Sequence, residues 1–281
     1  MTADKLGAAS LLATDLDGTL LRDDETVSDY TRTAFADATA RGVRAIFVTG
    51  RPPRWMRPVV ATTGHSGTAV CANGAVVVDL AQETVLKSNP IPGDVFAETV
   101  ATVRRAIPGE LYLAVEQALP GPISATGLFP EPGFVPAKSA NVQQLDTPLH
   151  QVPGVVKLLV RTPGDPAETA DLANTVSGAT DGAVTITHAS KQHRMLEISA
   201  AGVDKAAALG EIATDWKYDA EDIVAVGDMP NDIAMLSWAG LGYAVASAHP
   251  SVIAAADAVV PDPEHDGVAH LLTQIGLDNR I

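Results

Sequence analysis

Short apolar runs that stop abruptly at turn residues dominate the first 85 positions. Ser10 to Thr14 is closed by Asp-Leu-Asp-Gly at 15–18, Val43 to Val48 by Thr49-Gly50-Arg51, and Thr68 to Ala72 by Asn73-Gly74. Runs of this length without a polar face read as strands buried on both sides. Between the first two, Ser28 can cap a helix reaching about Ala40, with Tyr30, Ala34, Phe35 and Ala38 on one side and Gly42 as its stop. Strand, helix, strand in this order predicts a parallel sheet covered on both faces.

The same grammar returns near the C-terminus. A helix from Lys205 to about Thr214 precedes a strand, Ile223 to Val226, that ends at Gly227-Asp228. A helix over Pro230 to Ser237, strands at Tyr243 to Ala246 and Ala258 to Val260, and a helix from Val268 to Ile275 follow. The two blocks read as halves of one doubly wound sheet. Between Leu86 and Ser190 the pattern changes to a helix (Val95 to Ile107), two strands (Leu111 to Glu116, Val155 to Arg161), a helix (Pro166 to Val176) and a strand (Ala183 to His188). These strands are of mixed polarity, as in an α+β layer with one face covered. Leu119 to Pro136, rich in Gly and Pro, reads as a long loop. The expected organisation is an α/β core of residues 1–85 and 191–281, interrupted by a smaller α+β domain at 86–190.

Composition narrows the functions. With 46% hydrophobic but only 4% aromatic residues, the core is filled by Ala, Val, Leu and Ile, and no stacking platform for bases is expected. A net charge of −15 repels nucleic acid phosphates, so an anionic substrate must be held by local cations or a metal ion. The single cysteine, Cys71, excludes an intramolecular disulfide and a thiolate cluster, and reads as a buried, inert thiol. No segment approaches membrane-spanning length and the N-terminus lacks a secretory pattern, so the expected location is the cytoplasm, with no membrane partner.

The chemistry stands at the strand ends, where open parallel sheets bind ligands: Asp15, Asp17, Thr49 and Asp228. Carboxylates gathered in one crevice repel one another unless a cation joins them, and oxygen donors alone favour a hard ion such as Mg²⁺. Phosphate ester hydrolysis needs such a set. A carboxylate nucleophile must be shielded from its anionic target, and a second acid must protonate the departing alcohol and then activate water. Asp15 and Asp17 are close enough in the chain to share one centre, and Gly18 permits a tight turn. Thr19, Thr49 and backbone N–H groups can bind phosphate oxygens, and Lys205 can reach both nucleophile and phosphoryl group.

Asp15-Leu16-Asp17-Gly18-Thr19-Leu20, Thr49-Gly50-Arg51, Lys205 and Gly227-Asp228-Met229-Pro230-Asn231-Asp232 resemble, in order, the four motifs of the haloacid dehalogenase superfamily. Asn73-Gly74-Ala75 and Asp266-Gly267-Val268 resemble its Cof-type branch of sugar-phosphate phosphatases. The resemblance covers roughly the first 85 and last 90 residues. It implies a phospho-aspartate on Asp15, Asp17 as general acid/base, and Mg²⁺ held by the Asp15 carboxylate, the Asp17 backbone carbonyl and Asp228, supported by Asn231 and Asp232. It further implies phosphoryl or substrate contacts from Thr19, Thr49, Gly50, Arg51, Asn73, Asn231 and Lys205. The inserted domain would be a cap that chooses a small phosphorylated metabolite, a sugar phosphate or a cofactor-like phosphate, on a monomer or homodimer. Two positions depart from the pattern: Ser247 where an Asn is frequent, and Ala206 where a Gly follows the lysine.

Other readings stand beside this one. A calcium loop would place its Gly sixth, whereas Gly18 is fourth after Asp15. The same intermediate would serve a phosphotransferase or phosphomutase, and a phosphometabolite-binding regulator could keep the site without turnover. Glu116, His188, Lys191, His193 and Arg194 are candidate substrate contacts that read by default as solvated or strand-end residues, and Arg54, Trp55 and Arg57 read as packing or surface residues of a helix.

Overall fold

The apolar run Leu11–Thr14 (β1) is fully buried and has a parallel neighbour on each side, which satisfies its backbone on two edges and its side chains on two faces. The computed structural model describes residues 6–187 and 193–275. From β1 the chain runs through α1 (Asp29–Ala40), β2 (Arg44–Val48), α2 (Met56–Thr63) and β3 (Thr68–Cys71). Ser28 caps α1, its hydroxyl accepting from the Thr31 N–H. After β3, Ala72, Asn73 and Gly74 all take positive φ, and β4 (Val76–Asp79) turns back antiparallel, followed by β5 (Thr84–Ser88). Asn and Gly carry that left-handed backbone at low cost.

The next stretch contains α3 (Gly93–Ala106), β6 (Tyr112–Gln117), β7 (Gly121–Pro122), β8 (Gly127–Pro130), β9 (Val155–Arg161), α4 (Thr169–Thr180), β10 (Val184–Thr187) and β11 (Met195–Ala200). The chain then returns through α5 (Lys205–Trp216), β12 (Ile223–Gly227), α6 (Ile233–Trp238), β13 (Leu241–Val245), α7 (Pro250–Ala255), β14 (Ala258–Val260) and α8 (Gly267–Leu272). The main sheet has the order β14-β13-β12-β1-β2-β3-β4-β5-β7, parallel as far as β3 and antiparallel beyond. Strand order reverses at β1, which opens a crevice at the carboxyl ends of β1 and β12.

The second sheet, β10-β11-β9-β6-β8, is antiparallel. One face packs on α3 and α4 through Phe96, Val100, Leu113, Leu158, Leu172 and Val176. Register sets rows on the other face: Glu116 opposite Lys157, Leu159 between Ala114 and Glu197, and Arg161 between Tyr112 and Met195. The doubly wound sheet with a smaller α+β layer is the architecture expected.

Some elements are corrected. Leu119 to Pro136, expected as a loop, contains β7, which pairs with β5 at the edge of the main sheet, and β8, which pairs with β6. Segments this short show no period of two, so only pairing reveals them. β11, absent from the expected elements, lies between β9 and β10, and the second sheet therefore reaches Ala200. His188 and Lys191, named as candidate substrate contacts, lie outside the described residues. Burial pushes the Cys71 thiol up to about 12, with Lys157 opposing, so it stays protonated and inert. No helix among the described residues is long and apolar enough to cross a membrane.

Candidate active site

β1 and β12 run in register, Thr14 opposite Val226, so the residues that follow them emerge side by side. Asp15 follows β1 and donates its N–H to the Val226 carbonyl at 3.0 Å; Asp228 follows β12. Asp232, just before α6, brings a third carboxylate, and one oxygen of each lies within 4.8 Å of the others. All three are buried. Lys205, the first residue of α5 and only 1% exposed, donates from Nζ to Asp15 Oδ1 and to Asp232 Oδ1, both at 2.6 Å.

Burial pushes the Asp15 carboxyl well above its usual range; Lys205 opposes the rise, and Asp232, Asp228 and Asp17 add to it. Burial would also discharge Lys205, but Asp15 and Asp232 outweigh it and hold its pKa above the ordinary lysine value. Three carboxylates against one ammonium leave surplus negative charge in a buried space, and a divalent cation would neutralise it.

The three acids differ in what they can offer. Asp232 Oδ1 is taken by Lys205, and its Oδ2 accepts the N–H groups of Asp228 at 3.0 Å and Met229 at 2.9 Å. Asp232 thus fastens the lysine and the Asp228 turn, whereas Asp15 and Asp228 line the cavity. Asn231 lines it too, and its Oδ1 is buried without a hydrogen-bond partner, an acceptor left for a hydrated ion or a ligand. An all-oxygen donor set of this kind fits a hard divalent cation.

Asp17 sits elsewhere than the carboxylate cluster. Its carboxylate is held by the buried Arg51, with Nε to Oδ2 at 2.8 Å and Nη2 to Oδ1 at 2.5 Å. Gly18 has φ +79°, and a Cβ there would lie 2.6 Å from Asp228 Oδ2. Gly18→Ala is therefore expected to strain the turn by about 1–2 kcal/mol and to displace Asp228. Phosphate release should fall at least about tenfold, with a lowered melting temperature; unchanged kinetics would refute the steric account.

The expected phosphate-binding residues divide. Gly50, Arg51 and Asn231 line the cavity. Thr19, expected to bind phosphate, is buried and donates its hydroxyl to Asp228 Oδ1 at 3.3 Å, where it orients that carboxylate. The Thr49 hydroxyl accepts the Arg51 N–H at 3.0 Å and shapes the turn. Asn73 bridges the two sheets: its Nδ2 donates to Glu197 Oε2 at 2.6 Å and Thr187 Oγ1 at 3.1 Å, and its Oδ1 accepts from Asn231 at 3.1 Å. Asp266 accepts from Ser28 and Thr31 and ties α8 to α1. Ser247 is exposed, and Ala206 packs against the main core.

The second sheet closes on the crevice through charged contacts. Lys157 donates to the Gly50 carbonyl at 2.9 Å and to Glu197 at 2.8 Å. Arg54 grips Glu116 with two bonds, at 2.5 and 3.0 Å, and donates to the Ala140 carbonyl at 2.7 Å. Lys138, between β8 and β9, pairs with Glu25 and lies 5.1 Å from the Trp55 ring centre. Between these contacts is a cavity of about 280 Å³ with Asp15, Asp17 and Asp228 at one end.

A family profile described as haloacid dehalogenase-like hydrolase matches residues 12–272. The chain belongs to this family. It is similar to the 5-amino-6-(5-phospho-D-ribitylamino)uracil phosphatase YcsE of Bacillus subtilis (strain 168), 28% identical over 275 residues and 92% of each chain. It is also similar to the pyridoxal phosphate phosphatase YbhA of Escherichia coli (strain K12), 27% identical over 279 residues, 93% of this chain and 97% of that one. Among solved structures, a HAD/COF-like hydrolase from Plasmodium vivax superimposes with a TM-score of 0.80 at 21% identity, covering 97% of both chains. A haloacid dehalogenase-like hydrolase from Bacteroides thetaiotaomicron gives 0.76 at 21% identity, covering 95% of this chain and 99% of that one. The protein is a HAD-type phosphatase.

For this haloacid dehalogenase-like hydrolase, several residues of the site were not visible from sequence. Lys157, Glu197, Glu25 and Lys138 carry no motif. The one signal is a lysine inside the otherwise apolar run Val155–Leu159, where burial demands a partner. Arg54, read as a packing or surface residue, and Glu116, read by default as a solvated or strand-end residue, form a buried ion pair on the cavity wall.

Proposed function

We propose that the chain is a Mg²⁺-dependent phosphomonoesterase that hydrolyses small phosphorylated metabolites through a phospho-aspartate on Asp15. The observation that carries this reading is Lys205, buried between Asp15 and Asp232 beside Asp228, whose ammonium favours the charged form of Asp15 at one end of the cavity. Asp15, Asp228 and the Asp17 carbonyl would hold Mg²⁺, which supplies neutralisation of the charge shared by nucleophile and phosphoryl group.

Asp15 attacks phosphorus, a carboxyl–phosphorus bond forms, and the ester oxygen departs. Asp17 gives that oxygen a proton, later takes one from the water that opens the acyl phosphate, and so returns to its starting state. Arg51 pairs with both oxygens of Asp17 and favours its carboxylate form, the one that takes the proton from water; the first transfer requires this pair to open. Gly50 and Lys205 bear on the phosphoryl oxygens, and Asn231 supports the ion. Residues 86–190, with their sheet extended to Ala200, act as the cap: Lys157 on Gly50 and Glu116 on Arg54 hold it shut and exclude water.

The relatives named as phosphatases of 5-amino-6-(5-phospho-D-ribitylamino)uracil and pyridoxal phosphate support a small metabolite, cofactor-like or sugar-like, as substrate. The test is phosphate release from a panel of such esters by protein stripped with EDTA and by the same protein given Mg²⁺. Activity should appear only with the ion; full activity after stripping would overturn the metal assignment.

A further inference from the structure

Arg51, Arg54, Lys157 and Arg161 all line the cavity, and the first three are each matched by an acid: Asp17, Glu116 and Glu197. Arg161 is not. Among the described residues it meets no carboxylate at ion-pair distance, and it donates from Nη1 to the Val135 carbonyl at 3.3 Å. In a chain with 34 acidic and 19 basic residues, a half-buried arginine without an acid on a cavity wall stands out. A guanidinium withdrawn from water needs an anion or several acceptors in exchange.

Its place follows from strand register. Lys157, Leu159 and Arg161 alternate onto one face of β9, and the Lys157 end of that face touches Gly50 beside the acid cluster. Arg161 lies about 13 Å further along the strand, four residues at the usual rise. Between them the wall is apolar, made by Leu159 with Leu128, Phe134 and Met195. A second hollow, lined also by Tyr112, Thr162 and Arg194, shares Arg161 and His193 with the first, so this end of the cavity continues outward. The space thus has a phosphoryl end, an apolar middle and a cationic far end.

Building on the phosphatase reading, we propose that Arg161 recognises a second anionic group of the substrate, a carboxylate or a phosphate, at the end remote from the ester being cleaved. The planar fork of the guanidinium can take such a group with two parallel hydrogen bonds. The substrate class is then a phosphate monoester with a slender apolar body and a distal acid, and Arg161 is the residue that selects it.

The test compares ω-phosphooxyalkanoates of increasing chain length with the matching ω-hydroxyalkyl phosphates. At one chain length kcat/KM should favour the acid about tenfold or more, the effect of one charge-assisted contact. In Arg161→Met that ratio should fall to about one, and Arg161→Lys should restore part of it. The same ratio is read by calorimetric binding to Asp15→Asn protein, with and without the Arg161 substitution, in the presence of Mg²⁺. A lack of turnover with a preserved binding preference would strike the phosphatase reading alone and uphold the role of Arg161. No preference for the acid in the unaltered protein, a preference that survives Arg161→Met, or an equal loss on both esters would overturn the inference.

Discussion

Replacing Asp15 by asparagine should reduce phosphate release to that of an enzyme-free blank and, in EDTA, leave the protein at least as heat-resistant as the original. The first half follows from chemistry: an amide cannot form the acyl phosphate, and no other carboxylate stands where Asp15 does. The second follows from electrostatics. Burial raises the Asp15 pKa, and Asp232, Asp228 and Asp17 add to the rise against Lys205. An acid whose folded pKa is raised adds stability below its unfolded pKa and loses it as pH rises through the folded value. Without a divalent ion the original protein should therefore lose heat resistance as pH climbs above the ordinary carboxylate range. The asparagine variant should lose less. Mg²⁺ should narrow the gap by binding the original more tightly. Melting curves at several pH values, with EDTA and with Mg²⁺, read all of this. Wild-type turnover by the variant would remove Asp15 from the mechanism, and a variant clearly less stable in EDTA would refute the charge account.

Lys205→Met should be the more damaging substitution for the fold. The ammonium is 1% exposed and its two bonds hold Asp15 and Asp232, so its removal leaves buried carboxylates facing one another. Breaking a buried pair in this way costs about 3–5 kcal/mol. Loss of the charge that shields the nucleophile should cost a further hundredfold to thousandfold, roughly, in turnover. Denaturant unfolding in EDTA measures the first effect and phosphate release the second. Adding Asp15→Asn to Lys205→Met should recover part of the lost stability, because it removes one of the two opposed charges. If the double variant is as unstable as the sum of the singles, the pair is not coupled and the account fails.

The core of the site is legible in sequence because each part of it is local. Asp15 and Asp228 are read from buried apolar runs that end in an acid, and β1 and β12 take up those runs within a residue or two of the expected bounds. Parallel strands covered on both faces must be apolar throughout, so their ends are sharp and the polar residue at each end stands out. Lys205 is also read correctly as the first residue of a helix, and the structure adds Asp204 as its cap.

The partition of labour among those residues was not local. That Asp232 saturates itself on Lys205 and two backbone N–H groups, or that Thr19 serves Asp228, depends on contacts between segments brought together by the sheet. The covering layer is harder still. β8 and β11 gain their strand character from partners in β6 and β9, and neither Gly127–Pro130 nor Met195–Ala200 declares itself alone.

From sequence alone came the doubly wound core, the acids at its strand ends, the lysine that meets them and the family to which they point. Such features rest on burial and turn chemistry within a few neighbouring residues. Tertiary structure alone decided that Arg54 meets Glu116 across 62 positions, that Lys157 reaches Gly50 across 107, and that Arg161 lines the cavity with no acid at ion-pair distance among the described residues. Those facts depend on which strand faces which and in what register, and pairing energy between distant segments leaves no periodic trace in either one.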